Sequence, residues 1–489
     1  MTLDARQSFP AGIADELRRP RFRRRSWMAP FAGLRGPGRR AFAAVAVGAE
    51  PVTMAMADER VPFSPLDEAI HLLDTPAEPW SIQLEVRVAG ALKEDCLRAA
   101  IPIALARHPM ARAKLLPARR TDTRWTWSIS ETPALDPLKV LDCVDDLDLA
   151  LARAELHSLS VPLAESPPLR LRLARHPRGD VLMVNTNHAA FDGFGTLQVL
   201  RSIARAYVTA PEPDAAVPLV QARQVERLTQ PANLADRARR IRALSDKARD
   251  LAVPPARLAP QGATDRPGYG IHQISVPVPR SPTGATVNDL LLGALNMAIA
   301  GWNIAQGTTC RRIGVLMPVN LRPPEWRTEV VTNFVSESRV STVPADRRTS
   351  RRLLEAICAQ TARIKAGEGS ALMEVLSRTA RVPLWAKQPL SPLLWATGNR
   401  LVDTAVLSNL GAVTDEDLPD FGPMAGAVAG LWFSAPARMP CGLSLGAVSA
   451  AGALHLAFRY RYPLWGAAAA EAFAERFVVE LGVLEREAA

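Results

Sequence analysis

Residues 181–193 read VLMVNTNHAAFDG and place a histidine, an aspartate and a glycine where a strand is predicted to end and a helix to begin. The apolar residues 181–186 are typical of a buried strand. After them, residues 194–207 repeat apolar or aromatic side chains on one helical face, which predicts an amphipathic helix. His188 is therefore expected at a strand-to-helix junction.

The residue types at this junction suit proton transfer. A neutral imidazole can take a proton from a hydroxyl or an amine and later return one. Asp192 could hold that imidazole directly or lock the turn through an arginine, and Gly193 leaves room for backbone to approach a substrate. Taken alone, the pattern fits a core histidine beside a helix-capping aspartate equally well.

The length and composition of the chain predict two lobes. Its 489 residues are 48% hydrophobic, and one compact core of that size would be unusual. A proline-rich stretch at residues 211–269 surrounds a basic helical segment and is typical of a crossover between lobes. We therefore expect an N-terminal lobe at residues 61–215, a linker at 216–268 and a C-terminal lobe at 269–489, preceded by a basic, disordered extension at 1–60.

The net charge of +10 is concentrated near the start of the chain. Residues 1–57 hold ten arginines and four acidic residues, which supply +6 of the total. The rest is only mildly basic and has no recognisable nucleic-acid motif, so nucleic-acid binding is not expected. The extension is interpreted as a segment without function, or as a tail that could bring the protein to an anionic membrane surface.

Other classes of protein are disfavoured by what the sequence lacks. No apolar run approaches the roughly 20 residues that cross a bilayer. The five scattered cysteines form no CxxC pair, and the histidines have no metal-ligand spacing, so neither a disulfide scaffold nor a metal site is expected. These features predict a reduced cytoplasmic protein without a bound cofactor, and we expect a monomer.

The sequence also predicts the burial of one strand and the N-terminal cap of one helix. Alternating apolar and polar residues at 80–88 predict a half-buried strand. Asn288 or Asp289 is expected to cap the strongly apolar helix over residues 290–302.

Several segments accompany residues 187–193 in a characteristic order. They are FSPLDEA at 63–69, TVND at 286–289, PVNLR at 318–322, NF at 333–334 and SNLG at 408–411. With NHAAFDG at 187–193, they resemble the condensation-domain and CoA-dependent acyltransferase superfamily, whose central motif is HHxxxDG. The opening segment is most similar to wax-ester synthase/diacylglycerol acyltransferase-like and polyketide-associated acyltransferases. The resemblance covers about residues 61–485, and its order and spacing carry more weight than any single segment.

The resemblance implies a mixed α/β fold with two chloramphenicol-acetyltransferase-like lobes and an active-site tunnel between them. It implies that His188 is the general base of an HxxxD-type acyltransferase and that Asp192 pairs with Arg322 to hold the loop. The first histidine of the family motif is Asn187 here, which keeps a hydrogen-bonding side chain but cannot titrate. Candidate oxyanion donors are Gly193, Ser408 and Asn409.

The resulting hypothesis is transfer of an acyl group from a CoA or carrier-protein phosphopantetheine thioester to a hydroxyl, or less readily an amine, of a lipid-like or natural-product acceptor. The thioester is a co-substrate, and the partners are an acyl-CoA or acyl carrier protein and the acceptor. The alternative is a catalytically inactive condensation-like module that binds a carrier protein in a biosynthetic complex.

Overall fold

The computed structural model describes residues 58–211, 222–250, 252–281, 284–323, 326, 330–388 and 400–488. The predicted extension at residues 1–60 lies outside the described part of the chain as far as residue 57. Its last two residues belong to a strand, which begins at Glu59.

The strands of the described residues are β1 (Glu59–Pro62), β2 (Ser81–Val88), β3 (Ala113–Leu115), β4 (Thr126–Ile129), β5 (Leu138–Asp142), β6 (Leu169–Arg175), β7 (Val181–Asn187), β8 (Tyr269–Pro277), β9 (Ile313–Asn320), β10 (Val335–Thr342), β11 (Ala405–Ala412), β12 (Val428–Ser434), β13 (Leu443–Ala450) and β14 (Ala453–Arg461). The α-helices are α1 (Pro65–Leu73), α2 (Glu94–Arg107), α3 (Asp146–Ser158), α4 (Gly193–Tyr207), α5 (Val225–Leu228), α6 (Leu234–Asp250), α7 (Val287–Ala305), α8 (Ser350–Lys365), α9 (Ala371–Thr379), α10 (Leu384–Lys387) and α11 (Ala467–Ala488).

Three sheets organise these elements into two lobes. The first lobe contains a five-stranded sheet in the order β12-β2-β7-β6-β5 and a small sheet in the order β1-β4-β3. The second lobe contains a six-stranded sheet in the order β10-β9-β11-β13-β14-β8, in which β11 runs parallel to both of its neighbours. The main apolar core of the second lobe joins this sheet to α7, α8 and α11.

Strand β2 is buried on both faces, so the prediction of a half-buried strand was wrong. Its apolar side chains join the core that contains α2 and α4. Two of its polar residues contact α3 instead of solvent: Gln83 Nε2 donates to Leu156 O at 3.2 Å, and Arg153 donates two hydrogen bonds to Glu85 at 2.5 and 2.7 Å. The polar alternation therefore reflects buried contacts with a helix.

Helix α7 begins one turn earlier than predicted, and its cap is Thr286. The Thr286 hydroxyl accepts from Asp289 N at 3.3 Å, while the Asp289 carboxylate accepts from Thr286 N at 2.8 Å. This reciprocal pair is a capping box. The expectation that Asn288 or Asp289 is the cap was therefore wrong by two or three residues, although Asp289 takes part as the second member of the box.

Strand β12 connects the two lobes. It follows β11 of the six-stranded sheet in the chain, yet it pairs antiparallel with β2 of the five-stranded sheet. At the crossing, a Cβ atom added to Gly446 of β13 would lie 1.9 Å from Phe433 O of β12. Only a glycine allows the two backbones to approach this closely.

We expect Gly446→Ala to destabilise the protein by about 1–3 kcal/mol, because the added methyl group would push β12 away from β13. The free energy of unfolding, measured by urea titration, checks this. The matched control is Gly482→Ala in α11, where an added Cβ meets only the flexible Arg486 guanidinium at 3.3 Å. In that helix the change should stabilise by about 0.5–1 kcal/mol. An equal response of the two variants would contradict the crossing geometry.

Candidate active site

The backbone around His188 is fixed by pairing between β2 and β7. Strand β7 is buried along its whole length, and its last residue, Asn187, lies opposite Ser81. One residue beyond the strand, His188 N donates to Trp80 O at 2.9 Å. The two strands therefore hold the histidine at the junction that the sequence predicted for it.

The protonation pattern of the His188 ring follows from one hydrogen bond. Nδ1 lies 2.9 Å from Phe191 O. A carbonyl oxygen can only accept, so Nδ1 carries the proton in the neutral ring. Within the described part of the chain, no hydrogen bond engages Nε2, which is left as the basic atom. The residue is buried but retains 9% exposure.

Burial lowers the pKa of His188 below its ordinary value, because the charged imidazolium loses its hydration. The Phe191 carbonyl and the nearby Asp192 carboxylate raise this pKa and oppose the effect only in part. The imidazole is therefore neutral at physiological pH, the state that a general base needs.

Trp80 contributes a feature that the sequence analysis missed. Its ring stacks on the His188 imidazole, with centroids 6.2 Å apart and planes inclined by 18°. Among the described residues, its buried Nε1 has no hydrogen-bond partner. The indole therefore restricts the imidazole and leaves one donor beside it. The only sequence signal for this contact was the position of Trp80 at the start of a predicted strand. The pairing of that strand with β7 could not be predicted from the sequence.

Asp192 is held by four donors and does not contact the His188 ring through a hydrogen bond. Its carboxylate caps α4 by accepting from Gly195 N at 2.8 Å, and it accepts from Phe334 N at 2.8 Å. Arg322 donates to both carboxylate oxygens, at 2.5 and 2.9 Å. Such a bidentate pair fixes geometry as well as charge.

Arg322 continues this network into the second lobe. It follows β9 and also donates to two backbone carbonyls, those of Val330 at 3.1 Å and Thr332 at 2.7 Å. Its side chain and that of Asp192 are 0% and 1% exposed. Because Asp192 belongs to the first lobe, the pair ties the start of α4 to the second lobe.

Asn187 is engaged in local structure. Its side-chain nitrogen donates to Asp74 Oδ2 and to Val161 O, both at 2.9 Å, and its oxygen accepts from Ala189 N at 2.9 Å. The side chain thus braces the turn that carries His188. Asn187 therefore has a structural role in this turn.

The predicted oxyanion donors lie in different settings. Gly193 opens α4, so its N–H is one of the amides that no helical carbonyl satisfies. A Cβ at Gly193 would lie 2.7 Å from Leu410, which places the end of β11 against this glycine. Asn409 is used locally: it donates to Asn288 at 3.4 Å and accepts from Gly411 N at 2.8 Å. The Ser408 hydroxyl makes no hydrogen bond within the described residues and remains the better side-chain candidate.

Several features of the described residues bear on other functions. No group of three or more His, Cys, Asp or Glu side chains in this part of the chain is arranged to hold a metal ion. All five cysteines are free thiols. None of the helices found among the described residues is long and apolar enough to cross a membrane.

Solved structures with this arrangement of lobes are found in peptide synthetases. The first condensation domain of the calcium-dependent antibiotic synthetase aligns with a TM-score of 0.65 and 14% identity, over 87% of this chain and 97% of that one. The epimerization domain from the third module of tyrocidine synthetase B aligns with a TM-score of 0.61 and 15% identity, over 90% and 99%. The predicted fold class is thereby confirmed: the protein has the two-lobed condensation-domain fold.

Sequence comparison defines the family more narrowly. Two uncharacterized proteins of Mycobacterium tuberculosis, MT2362 of strain CDC 1551 and Rv2305 of strain H37Rv, are each 34% identical over 408 residues, which cover 81% of this chain and 92% of theirs. The chain belongs to the family of these two mycobacterial proteins. No protein-family model matches it.

Proposed function

We propose that the protein transfers an acyl group from a CoA or carrier-protein thioester to a hydroxyl group, with His188 as the general base. An amine is a second possible acceptor. The observation that carries the proposal is the hydrogen bond from His188 Nδ1 to Phe191 O, which leaves Nε2 unprotonated and available. The condensation-domain fold supports the same class of reaction at a coarser level.

In the proposed reaction, His188 Nε2 removes the proton from the acceptor hydroxyl. At the same time, the hydroxyl oxygen attacks the thioester carbonyl carbon. The tetrahedral intermediate then collapses, the C–S bond breaks, and the proton on Nε2 passes to the departing sulfur. The products are an ester and a free thiol, and no acyl-enzyme forms. The Gly193 N–H and the Ser408 hydroxyl are proposed to stabilise the oxyanion.

Asp192 and Arg322 act as positioning residues in this proposal. Their bidentate pair holds the start of α4 and therefore the turn between His188 and Gly193. Trp80 is proposed to keep the imidazole in one orientation through ring stacking. A base must lie within hydrogen-bond reach of the proton it removes, so a fixed ring orientation favours the reaction.

The test is thiol release by the purified full chain from a panel of acyl-CoA and acyl-carrier donors, offered with alcohols and amines. We expect release that depends on both donor and acceptor. Saturable binding of a loaded carrier protein without any release would favour the alternative, a non-catalytic module that recruits a carrier protein. Asn187 in place of a histidine is the observation that keeps this alternative open.

The pH dependence of the reaction provides a further prediction. The base works in its neutral form, and burial lowers the pKa of His188. We therefore expect kcat/KM to stay on its plateau as the pH falls through 6.5, the ordinary value for histidine, and to decline only at lower pH. Rates with one acyl thioester across a pH series measure this. An apparent pKa at or above 6.5 would contradict a buried base.

The surroundings of the reaction belong to the proposal as well. Free thiols at all five cysteines support the prediction of a reducing, cytoplasmic compartment. Peripheral membrane attachment through the basic extension is a separate proposal. It predicts that deletion of residues 1–53 reduces binding to vesicles of anionic lipid.

A further inference from the structure

A cavity of about 590 Å³ lies beside β1, and its lining residues do not include those of the His188 junction. Its walls come from three parts of the chain: β1 with the residue that follows it, the loop before β4, and the segment around α5. Its residues include four arginines and a single carboxylate: Arg60, Arg124, Arg223, Arg227 and Glu59. Its volume is within the range of small-ligand sites.

The charge of this cavity is positive after internal pairing is considered. Arg223 is buried and forms an ion pair with Asp67, so its charge is offset. Arg60 and Arg227 are both exposed at the wall. Among the described residues, the Arg227 guanidinium makes one hydrogen bond, a contact of 3.4 Å with the neutral side chain of Gln224. Guanidinium groups bind phosphate oxygens in a planar, bidentate geometry.

Thr332 connects the cavity to the candidate active site. Arg223 Nη1 donates to the Thr332 hydroxyl at 3.0 Å, and Arg322 Nη2 donates to the Thr332 carbonyl at 2.7 Å. Arg322 in turn holds Asp192 at the start of α4. A ligand whose charged end occupies the cavity therefore lies next to the contact between the lobes that positions His188.

We propose that this cavity binds the phosphorylated adenosine end of CoA. The inference rests on the proposed function, since it assigns the donor. A carrier protein presents one phosphodiester on its pantetheine arm, whereas the nucleotide end of CoA carries three phosphate groups. The two exposed guanidinium groups, those of Arg60 and Arg227, in a cavity of this volume match the nucleotide. Pro62, which is exposed at the wall, offers an apolar surface for the purine.

The first experiment measures binding alone, with adenosine 3′,5′-bisphosphate as the probe and the full chain as the protein. We expect saturable binding by calorimetry, and a Kd about tenfold or more higher for the double variant Arg60→Ala/Arg227→Ala. Arg352→Ala removes one exposed charge from α8 and is the control. Equal binding by the wild type and the double variant would overturn the proposal.

The second experiment compares two acyl donors, acyl-CoA and the acyl thioester of N-acetylcysteamine, which has no phosphate. In the double variant, KM for acyl-CoA should rise about tenfold while the parameters for the short donor stay unchanged. An equal loss with both donors, or an unchanged KM for acyl-CoA, would overturn the inference. If the wild type transfers neither from these two donors nor from a loaded carrier protein, the proposed function fails, and the binding experiment still decides the cavity.

Discussion

Replacement of His188 by alanine is expected to lower kcat/KM for acyl transfer about 10²–10⁴-fold, the usual contribution of a positioned general base. The effect should be in kcat, because the imidazole acts on the proton of the acceptor and is not proposed to bind the thioester. The variant should keep its fold, since the backbone bond from His188 N to Trp80 O does not need the side chain. Thiol release under saturating donor measures the change.

A matched control is His272→Ala. His272 is a partly exposed histidine on β8, in the six-stranded sheet, and it is assigned no role in the reaction. The His272→Ala variant should retain activity close to that of the wild type. Equal thiol release by wild type and His188→Ala would show that the assignment of the base is wrong, while loss in both variants would point to a general loss of structure.

The ion pair between Asp192 and Arg322 is expected to give the largest effect on stability. Removal of one partner leaves a buried charge without compensation, which typically costs about 3–5 kcal/mol. Asp192→Ala should also lose the cap of α4, since its carboxylate accepts from Gly195 N. Arg322→Met should leave the cap in place, but the Asp192 carboxylate would then stay buried without its positive partner. Urea unfolding of each variant measures the two losses.

A double-mutant cycle separates this pair from its surroundings. Asp192→Asn keeps a side chain that can accept from Gly195 N, so its combination with Arg322→Met removes both charges while preserving the cap. We expect the double variant to be more stable than the sum of the single losses predicts, because no lone charge remains buried. Strictly additive losses would contradict a direct energetic coupling. A single loss below about 1 kcal/mol would show that the pair is not buried as described.

The sequence predicted the local structure around the site well, because its signals are local. The apolar strand before His188 and the helix after it follow from side-chain periodicity. The contact between Asp192 and Arg322 joins residues 130 positions apart. No local pattern contains it, and the resemblance of the PVNLR segment to a family motif was its only indication.

The remaining features depend on tertiary pairing and could not be predicted in the same way. Strand β12 contains Gly430, and a glycine inside a strand weakens the sequence signal for that strand. Its pairing with β2 is also irregular. The polar face of β2 was interpreted as solvent-facing because a buried bond such as that between Glu85 and Arg153 is invisible in one segment. Trp80 was missed for a related reason: its place beside His188 arises from the pairing of two distant strands.

The most direct test of acyl transfer by His188 is product analysis by mass spectrometry after many turnovers with an acyl thioester and a hydroxyl acceptor. Direct transfer with His188 as the base predicts acylated acceptor in large excess over the enzyme, one free thiol for each ester formed, and an unchanged mass of the intact protein. It also predicts that these products are lost in His188→Ala. Binding of the thioester without any acylated acceptor, or an acyl group retained on the protein, would contradict direct transfer with His188 as the base.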